Sequence, residues 1–316
     1  MLKTIIVLLV FTSLFAIESL EPSKIFKATG TVQSILVEKN KLYAGTDNGT
    51  IEIFSIETNE KIKTIKIPDI KDFMGDVLAS KIYSIDLFKD KILIVSQGMK
   101  GYRNIFVYEN EKLNKIIGID KKYFIQKASF VDDEKIVFAL LSNQIGVYNY
   151  KTKKLSYLIQ VSPSSFSHFI ISEDKKKIAT TDESGIVRIM DIATAQVLKQ
   201  PKAINLDRVY QLDYKKGVIL TAGQDRKSVV YKGNSSSFLD FDFLLYSCGL
   251  SPKANLAAVA YNEKNEVLVF DVDSKKKLYN LKGQKATLTQ ILFKNETEVF
   301  VSSDDPNINY FNLNKE

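Results

Sequence analysis

The chain has 316 residues, of which 45% are hydrophobic, and 44 basic residues against 37 acidic ones give a formal charge of +7. A length of about 300 residues fits two average domains or one large all-β domain, and the apolar share is enough for a continuous core. One cysteine, one histidine and no tryptophan exclude an internal disulfide framework and a metal centre built on several His or Cys ligands.

In chain order, residues 1–16, MLKTIIVLLVFTSLFA, run from Lys3 through an apolar stretch to the small residue Ala16. That order is a signal peptide, too short and too early for a spanning helix. The mature chain is therefore expected to begin near residue 17, to be periplasmic and to carry no integral membrane segment. Residues 17–22 read as a short tail. From residue 23 onward the chain reads as one domain, and Lys24–Ala28 is a short strand that precedes its first full unit.

The clearest unit is Phe166–Leu198. Phe166–Ser172, Ile178–Thr181 and Ile186–Ile192 are strand-length apolar or alternating runs, and Gln196 opens a fourth. The polar turns between them, Glu173–Lys176, Asp182–Gly185 and Ala193–Ala195, are hairpin chemistry. Four antiparallel strands in about forty residues make one blade of a β-propeller. Its third strand, VRIMD, places Met190 ahead of Asp191. Equivalent large apolar residues end third strands at Phe54, Tyr108, Tyr148, Tyr231, Phe270 and Phe311. They recur about every 40 residues, except for a first interval lengthened by an insertion at Pro68–Ser80. The seventh unit has no room for a fourth strand, so Lys24–Ala28 is expected to supply it and remove the open edges of the ring.

The ends of such a ring differ in sequence. Lys151–Lys154, Lys175–Lys177, Lys215–Lys216 and Lys275–Lys277 fall at turns between first and second or third and fourth strands, interleaved with carboxylates such as Glu173, Asp174 and Asp273. These read as a solvated face; nucleic-acid binding would want Arg and stacking aromatics beside the Lys. Only four residues are Arg. Arg103 and Arg226 are placed in turns between second and third strands, and Arg208 in the blade-four to blade-five connection. Those loops share the opposite end with the insertion, which carries Phe73 and Met74, and with the wide turn before Tyr102. Arg and aromatic side chains dominate interface energetics. Phe73, Met74, Tyr102, Arg103, Arg208 and Arg226 are therefore the candidate binding residues, for a protein partner.

Chemistry is sparse. His168, within the first strand of blade four, is read as a packed or channel-lining residue, and Cys248, in the first strand of blade six, as a buried small one. Asp47, Asp182, Asp225 and Asp304 recur after second strands, where local hydrogen bonds to backbone suit them better than a metal does. No catalytic residue, metal site or cofactor is expected, and the chain is expected to be a monomer.

The tail of blade four, TTDESGIVRIMD, resembles the end of a WD repeat, with Met190-Asp191 where Trp-Asp would stand. The structural His of strict WD repeats is absent, so the likeness is to an all-β, seven-bladed WD-like β-propeller closed by its N-terminal strand. With the signal peptide and TDNGTIEIF at Thr46–Phe54, the mature chain resembles exported bacterial propellers of this kind. Within those it is similar to the NapL-type accessory proteins of periplasmic nitrate reductase. That resemblance implies a protein-binding scaffold or accessory factor for maturation of, or electron supply to, that enzyme, without catalysis of its own; it carries over no site residues. The alternative is a periplasmic propeller enzyme of lactonase or quinone-dependent dehydrogenase type.

Overall fold

The computed structural model describes residues 17–314; the expected signal peptide lies outside them. Seven four-stranded antiparallel sheets are arranged as blades, each with strands a to d from the channel outward. Blade 1 is Val32–Glu38, Lys41–Thr46, Thr50–Ser55 and Lys61–Lys66, and blade 2 is Ile82–Phe88, Lys91–Gln97, Arg103–Glu109 and Lys112–Ile117. Blade 3 is Ile125–Phe130, Lys135–Leu140, Gln144–Asn149 and Lys154–Gln160; blade 4 is Phe166–Ile171, Lys177–Asp182, Val187–Asp191 and Val197–Lys199. Blade 5 is Val209–Lys215, Val218–Gly223, Lys227–Lys232 and Ser235–Asp240; blade 6 is Cys248–Leu250, Leu256–Ala260, Val267–Asp271 and Lys277–Leu281. Blade 7 takes Leu288–Phe293, Glu298–Ser303 and Asn307–Asn312 from the C-terminus and Lys24–Lys27 from the N-terminus.

Blades pack face to face, so the middle strands are covered on both sides and their sequences are near-continuous apolar runs. KIVFAL of blade 3 and VILTAG of blade 5 are buried almost throughout, whereas the outer strand SSSFLD of blade 5 is almost wholly exposed. Seven buried clusters result, one between each adjacent pair of blades. All seven marker residues fall in strands c, and six of them are buried; Tyr108 is partly exposed. In blades 1, 3, 4 and 6 the pairing of strands c and d slips just before that residue, at Phe54, Tyr148, Met190 and Phe270. With Trp absent, Phe and Tyr fill the inter-blade contacts.

Closure is as the sequence requires. Lys24–Lys27 pairs antiparallel with the third strand of blade 7, Lys24 opposite Tyr310 and Lys27 opposite Asn307. Phe26, 1% exposed, packs its ring 5.9 Å from Phe54 of blade 1 and 6.0 Å from Phe300 of blade 7. The preceding residues are not a free tail. Glu18–Leu20 adds in parallel to the outer strand of blade 6, with Leu20 opposite Leu281, and Lys282 N–H donates to Leu20 O at 2.9 Å. Parallel addition to a sheet edge is set by tertiary position, and ESL has no strand pattern of its own to announce it. The N-terminal segment therefore ties down two neighbouring blades. Among the described residues no helix is long and apolar enough to cross a membrane.

The recurring aspartates brace the end of the ring that carries the insertion. Asp47 accepts Thr31 N–H at 2.8 Å, and Asp225 accepts Asn205 Nδ2 and Leu206 N–H, both at 2.9 Å. Each thus pins the connection entering its blade to the turn after strand b. Asp182, 1% exposed, is the most connected. It accepts from Ser162 Oγ at 2.6 Å, Asn143 Nδ2 at 3.0 Å, Ser184 N–H at 3.0 Å and Arg188 Nη1 at 2.8 Å. This network joins blade 3, the 3–4 connection and blade 4, the task that the missing WD histidine would otherwise share. Burial raises the Asp182 pKa, but the hydrogen bonds from Ser162 and Ser184 and the charge of Arg188 outweigh it and hold the carboxyl below its usual range.

Two outcomes follow from these contacts. Phe26→Ala removes a buried aromatic from the closing strand and is expected to cost about 3–5 kcal/mol, read as a lower midpoint in urea. Asp182→Asn leaves Arg188 buried without its counter-charge, at a cost of about 3–5 kcal/mol at pH 7. Because the folded pKa is depressed, the stabilisation is present above the unfolded carboxylate value of about 3.9 and is lost as pH falls through the folded one. The gap between wild type and Asp182→Asn should therefore narrow in acid; a constant gap down to pH 2 would contradict the ionic role.

Candidate functional site

Connections between blades and turns between strands b and c lie on one end of the ring, and all six candidate residues belong to that end. The insertion is a small hairpin in which Ile70–Lys71 pairs with Val77–Leu78. Its turn is held by its own backbone. Asp72 N–H donates to Asp76 O at 2.9 Å, and the Asp72 carboxylate accepts Met74 N–H at 2.8 Å and Asp76 N–H at 2.9 Å. Gly75 sits at φ +94°, a conformation that side chains disfavour. At the base Ser80 Oγ donates to Pro68 O at 2.7 Å. With its polar groups paired locally, the hairpin holds Phe73 95% exposed and Met74 75% exposed, and Val77 and Leu78 are exposed beside them. Phe73 does not tuck into the barrel.

Further exposed apolar residues stand on other loops of the same end. Met99 in the b–c turn of blade 2, Phe124 in the 2–3 connection and Leu141 in the b–c turn of blade 3 are all exposed. Tyr102 packs on Phe124, ring centroids 4.9 Å apart. Lys71, Lys100, Lys121 and Lys122 are exposed among them. Other exposed large apolar residues, such as Ile62, Leu155, Val197 and Phe238, lie scattered on outer strands d. Isolated exposed apolar residues carry little information, whereas several gathered on the loops of one end carry more. Sequence reading missed Val77, Leu78, Met99, Phe124 and Leu141; their placement in loops of one end was the available signal.

The arginines divide. Arg103 is not in the turn but begins strand c of blade 2, and its guanidinium carbon lies 3.9 Å from the centre of the Tyr83 ring. Its Nη1 donates to Gly101 O, its Nε is buried without a hydrogen-bond partner, and burial lowers its pKa. Half of its fork is thus committed within the chain. Arg208 forms an ion pair with Glu183, and Arg226 is exposed at a turn with φ +66°. Arg208 and Arg226, with the exposed Leu206, belong to blades 4 and 5, around the ring from the hairpin between blades 1 and 2. The structure therefore groups Phe73, Met74, Tyr102 and Arg103 on one arc and sets Arg208 and Arg226 apart.

On the opposite end the lysines are engaged locally. Lys175 Nζ donates to Phe130 O at 2.9 Å, Lys216 pairs with Glu173 at 3.5 Å and Lys232 with Asp273 at 2.6 Å.

The channel is the other recess, a cavity of about 430 Å³ lined by the innermost strands. Each strand a has one edge without a strand partner, and its amides need acceptors. Side chains of the preceding blade supply them in a repeated register. Ser84 accepts from Ala128 N–H at 3.4 Å, His168 Nδ1 from Leu212 N–H at 3.4 Å, Gln211 from Cys248 N–H at 3.2 Å and Gln290 from Ile35 N–H at 2.9 Å. Two residues further along, Asp86 accepts from Phe130 N–H at 2.7 Å and Asp213 from Leu250 N–H at 2.8 Å. Where blade 6 meets blade 7 the residue is Gly249, whose added Cβ would stand 2.6 Å from Ile291 O. In blade 3 the position of Ser84, His168, Gln211 and Gln290 is held by Lys127, which instead brings its Nζ to 2.7 Å from His168 Nε2. Cys248 is buried, and burial pushes its thiol pKa well up.

No known family model matches the sequence, and no curated protein matches it. Among solved structures the chain is similar to the β-propeller domain of Cps50 (Swd1) from Myceliophteria thermophila, with a TM-score of 0.75 over 92% of this chain and 98% of that one. Identity is 12%, so the likeness is one of fold. With that likeness, the seven blades and the closing N-terminal strand make the chain a seven-bladed WD-like β-propeller.

Proposed function

We propose that the protein is a non-catalytic scaffold that holds a protein partner on the insertion-bearing end, along the arc of blades 1 to 3. The observation that carries this is the hairpin tip, where Phe73 and Met74 stand almost fully exposed on a turn whose backbone is satisfied without them. The chain leaves these side chains unburied, and a second surface would recover that burial at roughly 25 cal/mol per Å². Exposed lysines among the apolar residues favour a partner that carries carboxylates near its own apolar contact. WD-like propellers commonly bind proteins, which supports the coarse reading. The resemblance of the sequence to NapL-type accessory proteins supports periplasmic nitrate reductase components as the first partners to test, and the signal peptide supports a periplasmic location.

Immobilised protein exposed to periplasmic extract, with mass spectrometry of what is retained, names the partner; affinity is then measured with that partner purified. Phe73→Ala and Met74→Ala are each expected to weaken binding by about 1–3 kcal/mol with unchanged melting, since neither side chain is buried. Replacing Lys151, Lys153 and Lys154 by Ser on the opposite end should leave affinity within twofold at physiological salt, where exposed charges are screened. The reverse pattern would place the partner on the wrong end. Separately, N-terminal sequencing of protein from the periplasmic fraction should start near Ile17; a cytoplasmic species that retains Met1 would refute export.

A further inference from the structure

We propose that Lys127 presents a neutral amine to the central channel and binds small carbonyl compounds there as imines. The geometry begins at a backbone amide. Leu212 N–H points at His168 Nδ1 over 3.4 Å, a long hydrogen bond but one with a fixed sense, because the amide can only donate. Nδ1 must then be the acceptor, and a neutral imidazole carries its single proton on Nε2. That Nε2–H lies 2.7 Å from Lys127 Nζ. An N–H at this distance needs a lone pair opposite it, and an ammonium has none. The Leu212 amide thereby favours one imidazole tautomer, and that tautomer shifts the balance of Lys127 toward its amine form.

Burial acts in the same direction on both groups. It pushes the Lys127 pKa down to about 8, against the charges of Asp86 and Asp213, which favour the ammonium, and with that of Lys215, which opposes it. It also pushes His168 well below its usual value, with Lys127 adding to the effect. The other titratable or charged side chains lining this part of the channel are Tyr83, Glu173, Lys175 and Cys248. Lys175 is bonded to Phe130 O, and Arg103 covers Tyr83.

A neutral amine facing an open cavity is a nucleophile for aldehydes and ketones. The Nζ lone pair forms a C–N bond to the carbonyl carbon, the C=O π pair passes to oxygen, and the oxygen leaves as water with the two amine protons. No oxidant or reductant enters. A cavity of about 430 Å³ admits small molecules only.

The probe is glyoxylate with cyanoborohydride, which reduces each imine to a stable secondary amine, followed by peptide mass mapping of the wild-type protein. An ordinary lysine with pKa about 10.4 is roughly 0.1% neutral at pH 7.5, against about a quarter for a pKa near 8. Lys127 should therefore be labelled first, at least about tenfold faster than any other lysine, with a rate that rises through pH 8 and levels above it. Lys127→Met should lose the fast adduct and keep the wild-type circular dichroism, whereas Lys153→Met should keep the fast adduct. Labelling spread over exposed lysines with Lys127 no faster, or a Lys127 rate still rising steeply above pH 9.5, overturns the proposal. The wild-type map decides the matter even if the Lys127 variant does not fold.

Discussion

A ring of sheets has a hydrogen-bonding problem at its centre. Outer strands can leave their free edges to water, but seven innermost strands converge on a narrow channel and each has one edge without a strand partner. The chain meets this with a side chain rather than with another strand. Ser84, His168, Gln211 and Gln290 each accept from an amide of the next blade, and Asp86 and Asp213 repeat the device two residues along. The bonds fix the rotation of blade 2 against blade 3, 4 against 5, 5 against 6 and 7 against 1, so the apolar faces there meet in register. They also explain why strands a are polar where strands b are not.

Much of the architecture was legible because it depends on periodicity. Alternating and β-branched runs, turn residues and a forty-residue spacing gave seven blades, and the missing fourth strand of the last unit pointed to Lys24–Ala28. Blade-four strand boundaries agree with the structure to within about a residue. Glu18–Leu20 was not legible, since three residues added to a finished edge leave no pattern. The aspartates were legible as turn residues, but the hub at Asp182 was not. It requires Asn143, Ser162 and Arg188, which come together only once blades 3 and 4 are stacked.

Site residues divide by the same logic. Phe73 and Met74 were legible because an apolar pair in an insertion is anomalous wherever it lands. The arginines were grouped by loop type, which assigns an end of the ring but not a position around it. Arg208 and Arg226 share the end and not the arc. The contact of Arg103 was not legible for another reason: the Tyr83 ring that receives its guanidinium is some twenty residues upstream, on strand a of its own blade. The Lys127–His168 contact joins blades 3 and 4 across the channel wall; the single histidine stood out in sequence, but its lysine partner, 41 residues away, did not.

The two ends and the channel therefore draw on different parts of the same scaffold. Lysine-rich turns are short, locally bonded and tied to the chain beneath them, as at Lys175 and Lys216. The hairpin at the other end is bonded only to itself and to its base, so its apolar tip contributes little to the stability of the ring. The backbone of the turn that carries these side chains is ordered before any partner arrives, although the exposed side chains keep their rotamer freedom. That ordering entropy is ordinarily a cost of association. Here it falls on folding, through Asp72 and Gly75, and the rigid ring keeps the tip in a fixed relation to Met99, Phe124 and Leu141. Shape on this end is thus set by the propeller, and what it can recognise is set by a handful of loop residues.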